Sequence, residues 1–219
     1  MQHVVISDQF KQTCPQLAFG LISCSVTNSA SHSGLWQEIA TVEAEFKATY
    51  SIEQINKIPT IQATRQAYKA FGKDSNRYRP SAEALCRRIL KGMELYRINT
   101  LVDLINLVSI RTGYSIGGFD EDKIVGDITL TVGTADDVFE GIGRGLLNIE
   151  GLPVYKDSVG GIGTPTSDNE RTKLSMETTR LFMIINGYSG KAGLQEAIDY
   201  SIGLLDKYAN ATGVEVLTL

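Results

Sequence analysis

The chain has 219 residues, with 21 Lys and Arg against 25 Asp and Glu and a formal net charge of −4. That length allows one sizeable core or at most two small ones, and the apolar, charged and glycine fractions are those of an ordinary soluble globular protein. The acidity excludes a general duplex-DNA binder, the apolar run at 181–185 is far too short to span a bilayer, and residues 1–10 lack the pattern of a secretory signal.

Residues 3–7, HVVIS, read as a short strand. Residues 17–27, LAFGLISCSVT, are apolar at both alternating sets of positions, the mark of a strand buried on both faces. From 34 to 49 the period turns helical, with Leu35, Ile39, Val42 and Phe46 at three- and four-residue steps. Pro59 fits the first turn of another helix, which Gly72 ends. Pro80-Ser81 followed by Glu83 starts the next, with Leu85 and Ile89 on one face and Gly92 as the stop. INTLVDLINLVSIRTG, residues 98–113, is helical and closed by Gly113. The chain then changes character: YSIGGF, GDITLTV, LPVYKDSV and LFMIINGY are strand-like and separated by turn residues. A helix at about 191–207 and a strand, GVEVLTL, complete it. Helices lead and strands cluster later without β-α-β alternation, which favours an α+β layered fold over a doubly wound sheet. With no repeat, low-complexity segment or linker, one domain over residues 1–219 is the economical reading.

Cys14, Cys24 and Cys86 are an odd number without C-x-x-C spacing, and read as small core hydrophobes in a reducing cytoplasm. Only His3 and His32 exist, far apart, so no metal-ligand set is expected, and no cofactor. His32 lies between Ser31 and Ser33, but adjacent residues rarely face one another, and it reads as a loop histidine. The run GIGRGLL from Gly141 fails as a phosphate cradle, because Leu146 replaces the third glycine and no Lys-Ser or Lys-Thr follows.

Three features remain. Lys73, Arg77, Arg79, Arg87, Arg88, Lys91 and Arg97 face only Asp74, Glu83 and Glu94, a local +4 in a chain whose remainder carries −8. Such an inversion attracts anions that the net charge repels; a solvated helix face is the plain alternative. In the apolar helix at 98–113, Asn99, Asp103 and Asn106 fall at steps of four and three on a single face. Buried polar groups must be satisfied, so this stripe either ties neighbouring backbone, with Asn99 as an N-cap, or lines a cavity. Residues 157–173, DSVGGIGTPTSDNERTK, are too long for a tight hairpin, and long ordered loops in compact domains are often functional. Glu170, Arg171 and Thr172 at its end are candidate ligand-facing groups, with a solvated turn as the alternative.

In order, RPSAEALCRRIL, INTLVDLINLV and GFDEDKIVGDITL resemble the editing domain of the bacterial phenylalanyl-tRNA synthetase beta subunit, and more closely the free-standing bacterial proteins built from that domain alone. The likeness runs from about residue 76 to 185 and includes none of the catalytic synthetase module. It implies a three-layer β/β/α sandwich whose pocket hydrolyses tyrosine wrongly esterified to phenylalanine tRNA. That reaction needs little beyond positioning and stabilisation of an oxyanion. The implied protein is cytoplasmic, takes aminoacylated tRNA as its partner, and engages neither DNA nor membrane.

The resemblance brings Gly117, Gly118 and Glu170 together as the catalytic group, the glycine N–H groups holding the oxyanion and Glu170 positioning substrate or water. It sets Asp103, Asn106 and Thr172 around the substrate. Arg77, Arg79, Arg87, Arg88 and Lys91 would meet phosphates, and Tyr78 would stack on an unpaired base. Two departures stand out. Gly117 occupies the place of the synthetase's pocket histidine, and SDNERT at 167–172 replaces its Gly-Gly-Glu loop, with Glu170 near the position of the glutamate that reads the tyrosine hydroxyl. Tyrosine specificity therefore does not transfer. The rival readings are a non-enzymatic RNA-binding module that keeps the fold without the hydrolytic pocket, and a protein that binds a free amino acid.

Overall fold

The computed structural model describes residues 1–219. Its helices are α1 (Asp8–Thr13), α2 (Ser33–Thr49), α3 (Pro59–Ala70), α4 (Ser81–Leu90), α5 (Thr100–Thr112) and α6 (Leu194–Ala209). α5 shows how local sequence sets the boundaries. Asn99 accepts the N–H of Val102 at 3.0 Å to cap its start, and Gly113 ends it at φ 73°, a left-handed conformation free of Cβ strain in glycine. Pro59 opens α3, where a missing N–H leaves no bond unmade. α2 buries the four residues whose spacing predicts it, Leu35, Ile39, Val42 and Phe46. α1 has no counterpart in the sequence pattern, since it buries Phe10 alone and so carries no periodicity.

Strands β1 (Val4–Ile6), β2 (Ala18–Ser25), β3 (Ile116–Asp120), β4 (Ile128–Val132), β5 (Glu140–Gly141), β6 (Gly145–Leu146), β7 (Pro153–Lys156), β8 (Gly161–Gly163), β9 (Arg180–Gly187) and β10 (Thr212–Thr218) form two sheets and a hairpin. The first sheet has the order β1-β4-β7-β8, with β1 parallel to β4. The second, β10-β2-β9-β3, is antiparallel throughout, and β2 pairs with β9 over eight residues.

Alternation along the second sheet builds two cores. Phe19, Leu21, Phe182 and Ile184 meet Ile128, Leu130 and Tyr155 of the first sheet. Ile22, Cys24, Leu181, Met183 and Ile185 meet Leu35 of α2, Cys86 of α4, Leu104 of α5 and Ile198 of α6. A sheet covered on both faces must be apolar on both, which explains the uninterrupted runs of β2 and β9. Each large apolar side chain buried here contributes roughly 1.5–3 kcal/mol. The architecture is the expected α+β arrangement, a β/β/α sandwich.

Residues 157–173 are not one loop. They contain β8 and a 3-10 turn at Glu170–Thr172. β8 escapes strand propensity because aromatic rings press on its backbone. A Cβ at Gly161 would lie 2.8 Å from Phe139 Cδ2, and one at Gly163 would lie 2.6 Å from Phe119 Cζ. Cys14, Cys24 and Cys86 are buried free thiols. No helix is long and apolar enough to cross a membrane.

Candidate functional site

A cavity of about 480 Å³ lies among α5, the edge strand β3, the start of α4 and the segment from residue 164 to 176. Its lining is divided in chemistry. Ile98, Val102, Ile105, Ile116, Ile142 and Leu174 are aliphatic, whereas Ser81, Asn106, Ser109, Thr164, Ser167 and Asp168 are polar. Asp168 is the only acidic side chain of the lining and Lys173 the only basic one.

Local sequence explains how Asp168 arrives there. The hydroxyl of Thr164 accepts the N–H groups of Thr166 and Ser167, a tight turn that folds Asp168 back to bridge Gly163. Because β3 is an edge strand, its outward Gly118 N–H is free to donate to Asp168 Oδ2, at 3.3 Å. Asp168 keeps some exposure to the cavity but is enclosed by protein, and that burial pushes its pKa up to about 7 against the opposing effect of the Gly118 hydrogen bond. A carboxyl that is half-ionised at neutral pH is suited to taking and returning a proton.

A groove of about 920 Å³ continues from the cavity, and Ser81, Asn106, Ile142, Thr164 and Ser167 line both. Arg77, Arg79, Arg87, Arg88, Lys91 and Arg144 make it basic, and Tyr78 and Tyr96 add aromatic surface. A third depression, about 700 Å³ between α2, α5 and α6, has its central charge already paired: Glu38 is bound by Lys207 and Tyr208.

The match to known proteins follows the same region. The B3/4 domain model matches residues 63–209. This chain belongs to the B3/4 domain family. The expected relation to the phenylalanyl-tRNA synthetase beta-subunit family holds. No curated protein sequence matches the chain. Among solved structures it is similar to an N-terminal fragment of the phenylalanyl-tRNA synthetase beta-subunit from Pyrococcus horikoshii, at 15% identity and a TM-score of 0.48, over 98% of this chain and 50% of that one. The chain thus spans half the length of that fragment. Every residue lining the cavity and the groove lies within the B3/4 match, while β1, β2 and β10 complete the sheets from outside it.

Within the B3/4 domain the expected site residues separate. Gly118 and Asn106 line the cavity, and Arg77, Tyr78, Arg79, Arg87, Arg88 and Lys91 line the groove. The expected convergence of Gly117, Gly118 and Glu170 on one cavity is met by Gly118 alone. Gly117 is one step along the strand and faces the Phe119 ring. Glu170 is held by Lys173 and by the Gly143 N–H, which together keep its carboxylate below the usual range. The Gly118 N–H expected to hold an oxyanion already donates to Asp168. Thr172 is buried with its hydroxyl toward the Ile162 carbonyl.

Asp103 and Asn106 diverge. A three-residue step leaves their directions about 60° apart, enough to bury one and leave the other at the cavity. Asp103 accepts Trp36 Nε1–H at 2.8 Å and the Ile98 N–H at 3.1 Å; burial raises its pKa, against those two bonds and Arg97.

Part of the basic run has a structural task. Glu83 of α4 is fully buried and takes Arg65 Nη1 and Arg87 Nε at 2.8 Å each, with Arg79 Nε at 3.7 Å. Arg88 donates to the Glu94 carbonyl and lies 4.0 Å over the Tyr96 ring. Arg77, Lys91 and Arg144 form no ion pair within the protein and face the groove.

The sequence reading missed Asp168. The readable signal is a Thr-Pro-Thr-Ser turn beside a glycine, Gly163, that leaves room for a carboxylate. A Cβ at Gly163 would lie 2.8 Å from Asp168 Oδ1.

Proposed function

We propose that this B3/4 protein binds the aminoacylated 3′ end of a tRNA and hydrolyses its ester in trans. One observation carries the reading: a cavity holding a carboxyl of pKa about 7 opens into a basic groove, and the two share five lining residues. A ligand matching both is a polyanion ending in a small group with polar and apolar parts, which is the chemistry of an aminoacyl RNA end. In the groove Arg77, Lys91 and Arg144 take phosphates, and the exposed Tyr96 ring offers stacking surface to an unpaired base, whereas the Tyr78 ring is covered by Lys73 at 3.9 Å.

In the cavity the ionised Asp168 accepts a proton from water as that water attacks the ester carbonyl. The tetrahedral oxyanion needs a donor, and Asn106, whose amide makes no hydrogen bond within the protein, supplies it at the junction of cavity and groove. As the acyl C–O bond breaks, the proton on Asp168 passes to the departing ribose oxygen. The reaction belongs in the cytoplasm, where its substrate is made.

Deacylation of a panel of mischarged tRNAs by the wild type and by Asp168→Asn tests the reading. Release of amino acid by the wild type and loss of about 100-fold or more in Asp168→Asn, with tRNA affinity retained, supports it. Tight tRNA binding without any ester cleavage leaves the protein an RNA-binding module.

A further inference from the structure

The turn joining β5 and β6 holds one side chain at the junction of cavity and groove. Arg144 N–H donates to the Gly141 carbonyl at 2.9 Å, closing a four-residue turn whose third residue, Gly143, has φ 66°. Three contacts fasten this turn to the acidic segment. Gly141 pairs with Asn169 in an isolated bridge, Ile142 N–H donates to the Asp168 carbonyl at 3.1 Å, and Gly143 N–H donates to Glu170 Oε1 at 3.1 Å. Ile142 and Asp168 therefore ride on one frame, and Glu170 is the side chain that ties it.

Ile142 lines both the cavity and the groove but is 41% exposed, so it is no core residue. The other aliphatic side chains of the cavity, Ile98, Val102, Ile105, Ile116 and Leu174, line it alone, whereas four of its polar ones, Ser81, Asn106, Thr164 and Ser167, also line the groove and so lie at the junction. An aliphatic wall discriminates by size, because that part of the lining offers no hydrogen bond with which to select a polar group. Resting on the hydrolysis reading above, we infer that the amino acid of the ester is apolar and that Ile142 sets the largest side chain accepted, with Glu170 as a positioning residue that holds the turn.

The test uses the full chain and one RNA charged in turn with alanine, valine, leucine, phenylalanine and aspartate. The wild type, Ile142→Ala, Ile142→Trp, Glu170→Ala and Glu170→Gln are compared in single turnover after thermal melting confirms that each is folded. Aspartate should be the poorest ester. Ile142→Ala should shift kcat/KM toward phenylalanine over valine by about tenfold or more, and Ile142→Trp should shift it the other way. Glu170→Ala should blur the preference, and Glu170→Gln, which still accepts the Gly143 N–H, should restore it. If hydrolysis proceeds with the same order of acyl groups in both Ile142 variants, or if aspartate is the best ester, this inference is overturned while hydrolysis stands. Failure of the wild type to cleave any ester overturns the hydrolysis reading and this inference with it.

Discussion

Asp168 lies with one carboxyl oxygen 3.3 Å from the backbone N–H of Gly118, in space left open by the absent side chain of Gly163. The enclosure that admits it also keeps its pKa at about 7. Hydrolysis that needs the carboxylate should therefore rise with pH, reach half its plateau near pH 7, and stay level above it. Single-turnover rates between pH 5 and 9 read this directly. A rate independent of pH across that range would remove Asp168 from the proton transfer.

The same burial fixes the sign of a stability effect. Asp168 ionises near its ordinary value of 3.8 in the unfolded chain but near 7 in the folded one, so the folded state binds the proton more tightly. Its contribution is fully present below about pH 4 and is lost as pH rises through about 7. Asp168→Asn removes the buried charge and still accepts the Gly118 N–H. This variant should melt higher than the wild type at pH 8 and close to it at pH 4.5, while losing hydrolysis. A variant that melts lower at pH 8 would contradict the assignment.

Asp103 should behave in the opposite way. Asp103→Ala leaves the part-buried Trp36 indole and Ile98 N–H without an acceptor, at about 1–3 kcal/mol in all. A chain of this size loses about 2–4 °C of melting temperature per kcal/mol. Because Asp103 does not line the cavity, the rate per folded molecule should hold. Normal melting with lost hydrolysis would move Asp103 into the reaction.

Arg77 and Arg144 face the groove without internal ion pairs. Replacing both with alanine should weaken tRNA binding and flatten the slope of log affinity against log salt by about 1.4, near 0.7 per single-strand phosphate contact. An unchanged slope would place the RNA on another face.

How far the site is legible in the sequence depends on how local its causes are. Asn99 and Gly113 announce α5 because a cap acts within one turn. The apolar runs of β2 and β9 announce a doubly covered sheet because residues 18–24 and 181–187 are buried throughout. Asp168 is different. Its ionisation is set by β3 and β8, which lie about fifty residues before it and immediately before it, and Gly163, which makes room for it, is a poor strand former. Glu170, two residues on, is the more conspicuous acid in the chain but faces Lys173 and the turn at Gly143. The basic run shows both cases. Arg79, Glu83 and Arg87 stand at four-residue steps, so their pairing is readable, whereas the third arginine reaches Glu83 from α3 and is not.

That partition of the arginines supplies the last prediction. Glu83 has no exposure, while the side chains of Arg65 and Arg87 retain only 16% and 22% and that of Arg79 retains 44%. Removing one partner of a buried ion pair leaves the other uncompensated and costs about 3–5 kcal/mol, whereas an exposed pair is worth at most about 1 kcal/mol. Glu83→Gln should therefore lower the urea midpoint most, Arg87→Ala less, and Arg79→Ala hardly at all. For tRNA affinity the two arginines should exchange rank, because Arg79 keeps more of its guanidinium in the groove and Arg87 is fixed between Glu83 and the Ile52 carbonyl. Urea titration and tRNA binding measured on the same three variants separate the two tasks. Equal losses of stability and of affinity in Arg79→Ala and Arg87→Ala would mean that the run is not divided between holding Glu83 and meeting RNA.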